Sequence, residues 1–296
     1  MRGSLIGVLM LTFLPHWALA DDVVRPLKPA EQLSQPDVYE FVLLHEVLER
    51  TRPDYGAYEE VPFTDTVSLA RATQLAIEGH LVNLMVEGVG QPLLEQQMIP
   101  VPFPIDKGLL GYRIAFVDQR NQEKLSRVNS LAELRQLRVG QGSGWSDVRI
   151  YEHNRIPIET APSYKWQAGG SLFSMLLYGR FDLFPRGLNE IAPEFADFRD
   201  RYPDLAIEQH LLLHYPFCTA YYVSPAAPHL AARLSAGLER MVADRSFDTL
   251  FAKYYGKVVA DLDLRHRVVI ELENPFLPGW VPLDRRELWF DPAQLP

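Results

Sequence analysis

Apolar periodicity in this chain keeps switching between a helical and a strand spacing, and that alternation restricts the fold more than any other feature. "SLARATQLAIEGH" places Leu69, Ala72, Leu75 and Ala76 on one helical face, with Gly79 just past its end as a cap. "LVNLMVEGV" follows at once as a buried strand. Upstream, residues 38–51 carry Phe41, Val42, Leu44, Val47 and Leu48 at helical spacing, ended by Pro53, and "AYEEVPF" then alternates as a strand. Strand-helix-strand order of this kind predicts an α/β fold, a mainly parallel sheet with helices on its faces.

After "PVPFPIDKGLLG" the pattern restarts. "YRIAFV" reads as a strand, and "SLAE" (Ser130 to Glu133) as a capping box opening a short helix. "RVGQG" is a strand running into a glycine-rich turn, and Ser146 or Ser143 caps the helix "SDVRIYEHN". "PIET" is a strand. "SLFSMLLYGRFDLFPRG" is an apolar helix, a glycine stop and a short strand that ends on Arg186. "HLLLHYPFCTAYYVS" reads as one long apolar strand. Two amphipathic helices follow, one from Pro228 and one over "SFDTLFAKYYG". From Glu273 onward, Pro275, Pro278 and Pro282 exclude regular structure. That tail is expected to be an extended strap (273–296), held by Phe276, Trp280 and Trp289.

The first twenty residues read as a leader. Arg2 supplies the charge, Leu5 to Leu14 the apolar stretch, and Ala18-Leu19-Ala20 the small-x-small cleavage signal. Pro15 and His16 break the stretch too soon for a membrane span. Removing these twenty of 296 residues leaves 276, and losing Arg2 takes the net charge from −9 to −10. That acidity, without a basic run, argues against a nucleic-acid or anionic-membrane partner. The single cysteine, Cys218, permits no internal disulfide and reads as a buried, inert thiol. No His, Cys, Asp and Glu set has metal-ligand spacing, so neither metal nor cofactor is expected.

Three segments carry a resemblance. "SFDTLFAKYYG", "SLAELRQLRVGQGSGW" and "YGRFDLFPRG" resemble the family 3 solute-binding proteins, the type II periplasmic binding proteins of amino-acid uptake systems. "KGLLGYRI" and the ending "RVVIELENPFLPGWVPLDRRELWFDP" resemble an uncharacterised branch of that superfamily. The resemblance implies two α/β lobes joined by two crossing strands and closing on a small molecule. Lobe one would comprise residues 21–111 plus 222–296, and lobe two residues 112–221. It also implies a periplasmic, monomeric binder without catalysis, serving the permease of an ABC importer. A sensor, or a lyase or dehydratase on the same scaffold, is the alternative.

The departures from that pattern bear on the ligand. Amino-acid binders place a Thr and a carboxylate-clamping Arg after the third strand, where this chain has Gln91, Glu95, Gln96 and Gln97. Where they place an ammonium-binding Asp, this chain has Arg186-Gly187. Arg186 suits a carboxylate or phosphate, or else pairs with Glu190. "GQGSGW" resembles the anion-facing turn of the family. There Gln141, Ser143 and Gly144 would hold a negative group and Trp145 would wall the pocket, unless the turn only caps its helix. Glu87 and Gln91 stand on the rim of the first lobe, and Arg113 either reaches the cleft or braces the crossing. Tyr164 and Trp166 are candidate aromatic walls. An anionic or carboxylate-bearing solute is the expectation.

Overall fold

The structure, a computed structural model, describes residues 22–28, 38–162 and 169–292. The leader, Tyr164 and Trp166 lie outside the described residues. The chain opens with β1 (Asp22–Val24), α1 (Tyr39–Tyr55), β2 (Tyr58–Glu60), α2 (Leu69–Glu78), β3 (Leu84–Gly88), α3 (Pro92–Gln97) and β4 (Ile99–Pro100). The α2 helix forms as its pattern predicts. Ser68 Oγ accepts the Arg71 N–H, and Gly79, at φ 76°, closes the helix in the left-handed region. The α1 helix differs, running through Pro53 to Tyr55. Pro53 falls in its last turn, and Glu49, whose carbonyl loses a donor, is exposed to water that can replace it. The inner face of α1 buries Leu43, Leu44, Val47 and Leu48 completely, each contributing about 2 kcal/mol.

Segment 101–111 then leads to β5 (Tyr112–Asp118), α4 (Gln122–Leu125), α5 (Leu131–Leu134), β6 (Val139–Gly142), α6 (Asp147–His153) and β7 (Ile158–Ala161). Next come α7 (Gly169–Leu177), β8 (Phe184–Gly187), α8 (Ile191–Phe198), β9 (Leu205–Ile207) and β10 (Leu211–His214). The chain ends with β11 (Thr219–Val223), α9 (Pro228–Ala243), α10 (Ser246–Asp261) and β12 (Val268–Glu271).

The sheets are mixed. In one, β11 runs antiparallel between β3 and β4, so a late strand completes a sheet begun by the first third of the chain. In another, the order is β12-β10-β5-β8, with β9 also on β5. Parallel pairs occur at β1–β2, β6–β7 and β10–β12, while β5 and β11 oppose every partner they have. The expected single long strand is split: Pro216, which has no N–H to give a ladder, separates β10 from β11, and the two enter different sheets. Arg186 lies inside β8, one residue before the strand's end at Gly187, opposite Ile114 of β5. Pro185 is tolerated there because, among the described residues, the ladder of β8 itself runs only with β5, the bridge to β6 being made by Leu183 before it.

Between these sheets the segment 101–111 lies against the start of β11. The buried Asp106 carboxylate ties them, accepting from Gly108 N (3.0 Å), Leu110 N (3.1 Å), Thr219 N (3.0 Å) and Thr219 Oγ1 (3.2 Å). Gly108, at φ 72°, admits the Trp289 ring so closely that a Cβ there would come within 2.5 Å of it.

The tail after β12 crosses the same region. Asn274 Nδ2 donates to Pro216 O (2.8 Å), Trp280 Nε1 to Glu95 Oε2 (2.8 Å) and Phe290 N to Lys107 O (2.7 Å). At the other end of the chain, the fully buried Arg233 on α9 gives Nη1 to Asp22 Oδ2 (2.9 Å), Nε to Thr51 Oγ1 (2.9 Å) and Nη2 to Gly56 O (3.0 Å).

Candidate functional site

Five charged side chains meet where β5, β8, α6 and α8 converge. The register of β5 against β8 sets Arg113 opposite Gly187 and Arg186 opposite Ile114, so both arginines rise from one ladder. Arg113 is 2% exposed. Its Nη2 donates to both oxygens of Asp147 at 3.0 Å, its Nη1 to Glu190 Oε2 at 3.2 Å, and its Nε to the Tyr215 hydroxyl at 2.9 Å. The Tyr215 hydroxyl in turn donates to Asp147 Oδ1 at 3.1 Å. Arg186 is 4% exposed. Its Nε and Nη2 fork onto Glu194 at 2.8 and 2.6 Å, and Nη2 also reaches Glu190 Oε1 at 3.0 Å. Its plane lies over Trp145, 4.8 Å from the ring centre, and over Phe184 at 5.4 Å.

Burial decides the electrostatics. Desolvation pushes Asp147 and Glu194 above the ordinary carboxylate range, against the pull of Arg113 and Arg186 respectively. The same burial works against the charge on each arginine, and the facing carboxylates more than offset it, so both guanidiniums are held above their usual value. Glu190 is the shared member. Besides meeting both arginines, its Oε2 accepts the Gly187 N–H at 2.8 Å, which fixes the β8–α8 turn.

The glycine-rich turn lies beside this cluster. Gln141, fully buried at the end of β6, donates Nε2 to Pro185 O at 3.4 Å, while its Oε1 has no partner among the described residues. Ser143 and Gly144 are exposed, and Trp145 is half-buried over Arg186. Neither serine caps through its side chain: Ser146 stands at the N-cap of α6 without a cap bond. Glu87 is buried on β3, opposite Ala220. Gln91 stands at the N-cap of α3 and makes no side-chain cap bond. Thus Arg186, Trp145, Gln141 and Arg113 come together around Asp147, Glu190 and Glu194, while Glu87 and Gln91 belong to the β3 end.

The α6 helix reaches those β3 residues. Arg149 donates Nη2 to the carbonyl of Gly90, in the loop after β3, and lies over Phe276 of the tail at 4.5 Å. Asn154 and Glu273 exchange two bonds, Asn154 Nδ2 to Glu273 O (2.8 Å) and Glu273 N to Asn154 Oδ1 (3.0 Å). Glu95 holds the loop itself, accepting from Gly90 N (2.9 Å), Tyr222 OH (2.5 Å) and Trp280 Nε1 (2.8 Å). Sequence reasoning did not assign site roles to Asp147, Glu194 and Tyr215. Asp147 carried a signal as an acid in the first turn of a helix after a glycine-rich turn. Glu194 and Tyr215 carried none, because only the sheet register brings them in. Among the described residues no group of His, Cys, Asp and Glu could hold a metal ion.

No family model and no curated protein matches the chain. Solved structures do. An arginine-specific periplasmic binding protein of Salmonella typhimurium shares 14% identity at a TM-score of 0.54, over 79% of this chain and 99% of that one. A histidine kinase sensor domain with similarity to periplasmic binding proteins shares 14% identity at 0.54, over 80% of this chain and 96% of its own. An ancestral amino-acid-binding protein, a precursor of cyclohexadienyl dehydratase, shares 13% at 0.52, over 79% and 95%. What this chain has in common with them is the fold: a mixed α/β architecture matching the two-lobed type II periplasmic binding proteins.

Proposed function

We propose that this chain is an extracytoplasmic binding protein that grips a small polar solute through its carboxylate and hands it to a membrane partner, most simply the permease of an ABC importer. Residues 21–111 with 222–296 would form the bulk of one lobe and residues 112–221 the bulk of the other, except that all of β11 goes with β3 and β4 and β12 goes with β10, with segment 101–111 and residues 215–218 as the hinge. The leader over residues 1–20 would route the chain out of the cytoplasm. Among the described residues, no helix is long and apolar enough to cross a membrane.

The observation that carries the reading is the state of Arg186. Its Nε and Nη2 are clamped by Glu194 and Glu190 and its face rests on Trp145, yet its Nη1 donates to none of the described residues. A guanidinium immobilised in this way and left with an unspent edge is prepared for a planar anion. The neighbouring turn with Gln141, Ser143 and Gly144 would complete the grip, and Glu87 and Gln91 would face it from the other lobe. Contacts from α6 to Gly90 and Glu273 are those that closure would make, so a solute touching both sides would favour the closed form.

Enzymatic use of the scaffold calls for an unpaired acid or base. Asp147 and Glu194 are raised by burial, but each has both oxygens engaged by an arginine, which suits bracing rather than proton transfer. Binding is therefore the better reading. A sensing role would use the same grip, with a kinase in place of a permease, and co-purification of the membrane partner separates the two. Isothermal titration across amino acids, dicarboxylates and small peptides tests the grip. Saturable binding of carboxylate-bearing solutes is expected, and binding confined to cations without a carboxylate would overturn it.

A further inference from the structure

Among the described residues the site holds three carboxylates and two arginines. Asp147 meets Arg113 with both oxygens, and Glu194 meets Arg186 with both of its own. Those two pairs are neutral by themselves. Glu190 is a third carboxylate wedged between them, giving Oε2 to Arg113 Nη1 and Oε1 to Arg186 Nη2. Its charge disfavours ionisation of both its neighbours, acting on Asp147 and on Glu194 alike. Its side chain is also the most accessible of the five, at 28% against 2% for Arg113, 4% for Arg186, 6% for Asp147 and 23% for Glu194.

We infer that Glu190 occupies, from within the chain, the place a solute carboxylate takes between Arg113 and Arg186; the inference rests on the carboxylate reading above and names the group the solute must displace. The geometry is that of a filled anion slot. If the Glu190 side chain swings outward, Arg113 Nη1, Arg186 Nη2 and the Gly187 N–H all lose an acceptor at once, beside the unspent Arg186 Nη1. These converging donors are what a carboxylate requires. The exchange is one negative charge for one, so the buried arginines never stand uncompensated, and a neutral solute could not make the substitution. Glu190 thereby sets specificity as well as affinity, because every solute has to outcompete a carboxylate tethered at the site.

The test uses formate and acetate as probes on the full mature chain, with chloride at equal ionic strength as the control. The Glu190→Ala variant empties the slot, and its melting temperature is expected to rise saturably with acetate and formate but not with chloride, while the wild type stays indifferent. A folded Glu190→Ala variant, verified by circular dichroism, that responds to acetate no more than to chloride overturns the inference. Should that variant not fold, Glu190→Gln keeps the shape and removes the charge. It is expected to bind formate at least tenfold more tightly than the wild type, and equal or weaker binding overturns the inference. The two readings separate cleanly. Acetate binding by Glu190→Ala alongside a wild type blind to every carboxylate sustains the slot and sinks the solute proposal, whereas the reverse pattern sustains the solute and sinks the slot.

Discussion

Asn154 and Glu273 stand 119 residues apart in the chain and hold each other by two hydrogen bonds, side-chain amide to backbone in both directions. The pairing joins the end of α6 to the tail that follows β12, and the tail in turn is bonded to Pro216 and Glu95. The last irregular segment thus links α6 to the loop after β3 and to the turn between β10 and β11.

Cutting that link should favour opening. Asn154 is 4% exposed and also caps Ile150 O with its Nδ2. Replacing it by Ala leaves the Glu273 amide and carbonyl without these partners, at a cost of about 1–3 kcal/mol. The expected outcome for Asn154→Ala is a lower melting temperature together with a larger radius of gyration by small-angle scattering. A variant that melts early but keeps the wild-type radius would show that the bond stabilises α6 without governing closure.

Asp106 should act as the pin of the crossing region. An Asn in its place keeps one acceptor but turns an NH2 group toward backbone donors, so Asp106→Asn is expected to lose about 2–4 kcal/mol in urea unfolding. The Asp106→Ala variant, which leaves the same donors unmet without repulsion, should lose less.

The same carboxylate predicts a pH slope. Burial raises Asp106 above its ordinary value despite its four donors, so between about 3.9 and the folded value the native state holds a proton that the unfolded chain has released. Stability from this group is fullest at the acid end and falls as pH rises through that window, at up to about 1.4 kcal/mol per pH unit. Unfolding midpoints measured from about pH 4 upward should show a steeper decline for the wild type than for Asp106→Asn. Identical slopes would contradict the assignment.

Substituting Arg186 by Lys keeps the charge and removes the fork. A lysine cannot meet both oxygens of Glu194 or lie flat over Trp145. Losing these charged hydrogen bonds while the cation stays costs about 1.5–3 kcal/mol, and solute affinity should drop at least tenfold in titration. Unchanged affinity in a folded Arg186→Lys variant would remove Arg186 from the grip.

Gly108 and Trp289 offer a structural control. A side chain at Gly108 must sit at φ 72° and within 2.5 Å of the indole. Gly108→Ala is expected to lose roughly 2–4 kcal/mol, combining the left-handed backbone penalty with the displaced ring. Trp289→Ala should lose the packing but relieve the clash, so the double variant should be less destabilised than the sum of the two. Additive losses would show that the two residues do not meet.

The alternation of periods in the sequence made the class of fold legible, because buried helix faces and buried strands write different spacings into the chain. Register and pairing were less legible. The run from His210 to Ser224 is continuously apolar since both halves are buried, and only Pro216 marks the break between β10 and β11. The strand read as ending on Arg186 runs one residue further, to Gly187, because all four residues of "FPRG" are buried against β5. In the site, Arg186, Arg113, Gln141 and Trp145 could be named from local pattern. Glu194 and Tyr215 could not: they reach the cluster only when α8 folds back beside β8 and when β10 lies against β5. Periodicity records burial, and these contacts are made by topology.

The grip of Arg233 on Asp22 has a bearing on how the molecule is made. If the chain is threaded through a membrane from its amino end, the aspartate emerges 211 residues ahead of the guanidinium that will hold it. The β3 strand waits a shorter stretch for β11, whose Thr219 comes to lie opposite Gly88. The first sheet lacks its middle until β11 has arrived, and the opening strand lacks its lock until α9 follows, so assembly of that part of the molecule is deferred until most of the chain is across. A chain stalled short of position 219 would leave β3 and β4 without the strand that joins them, an open edge exposed for as long as the stall lasts.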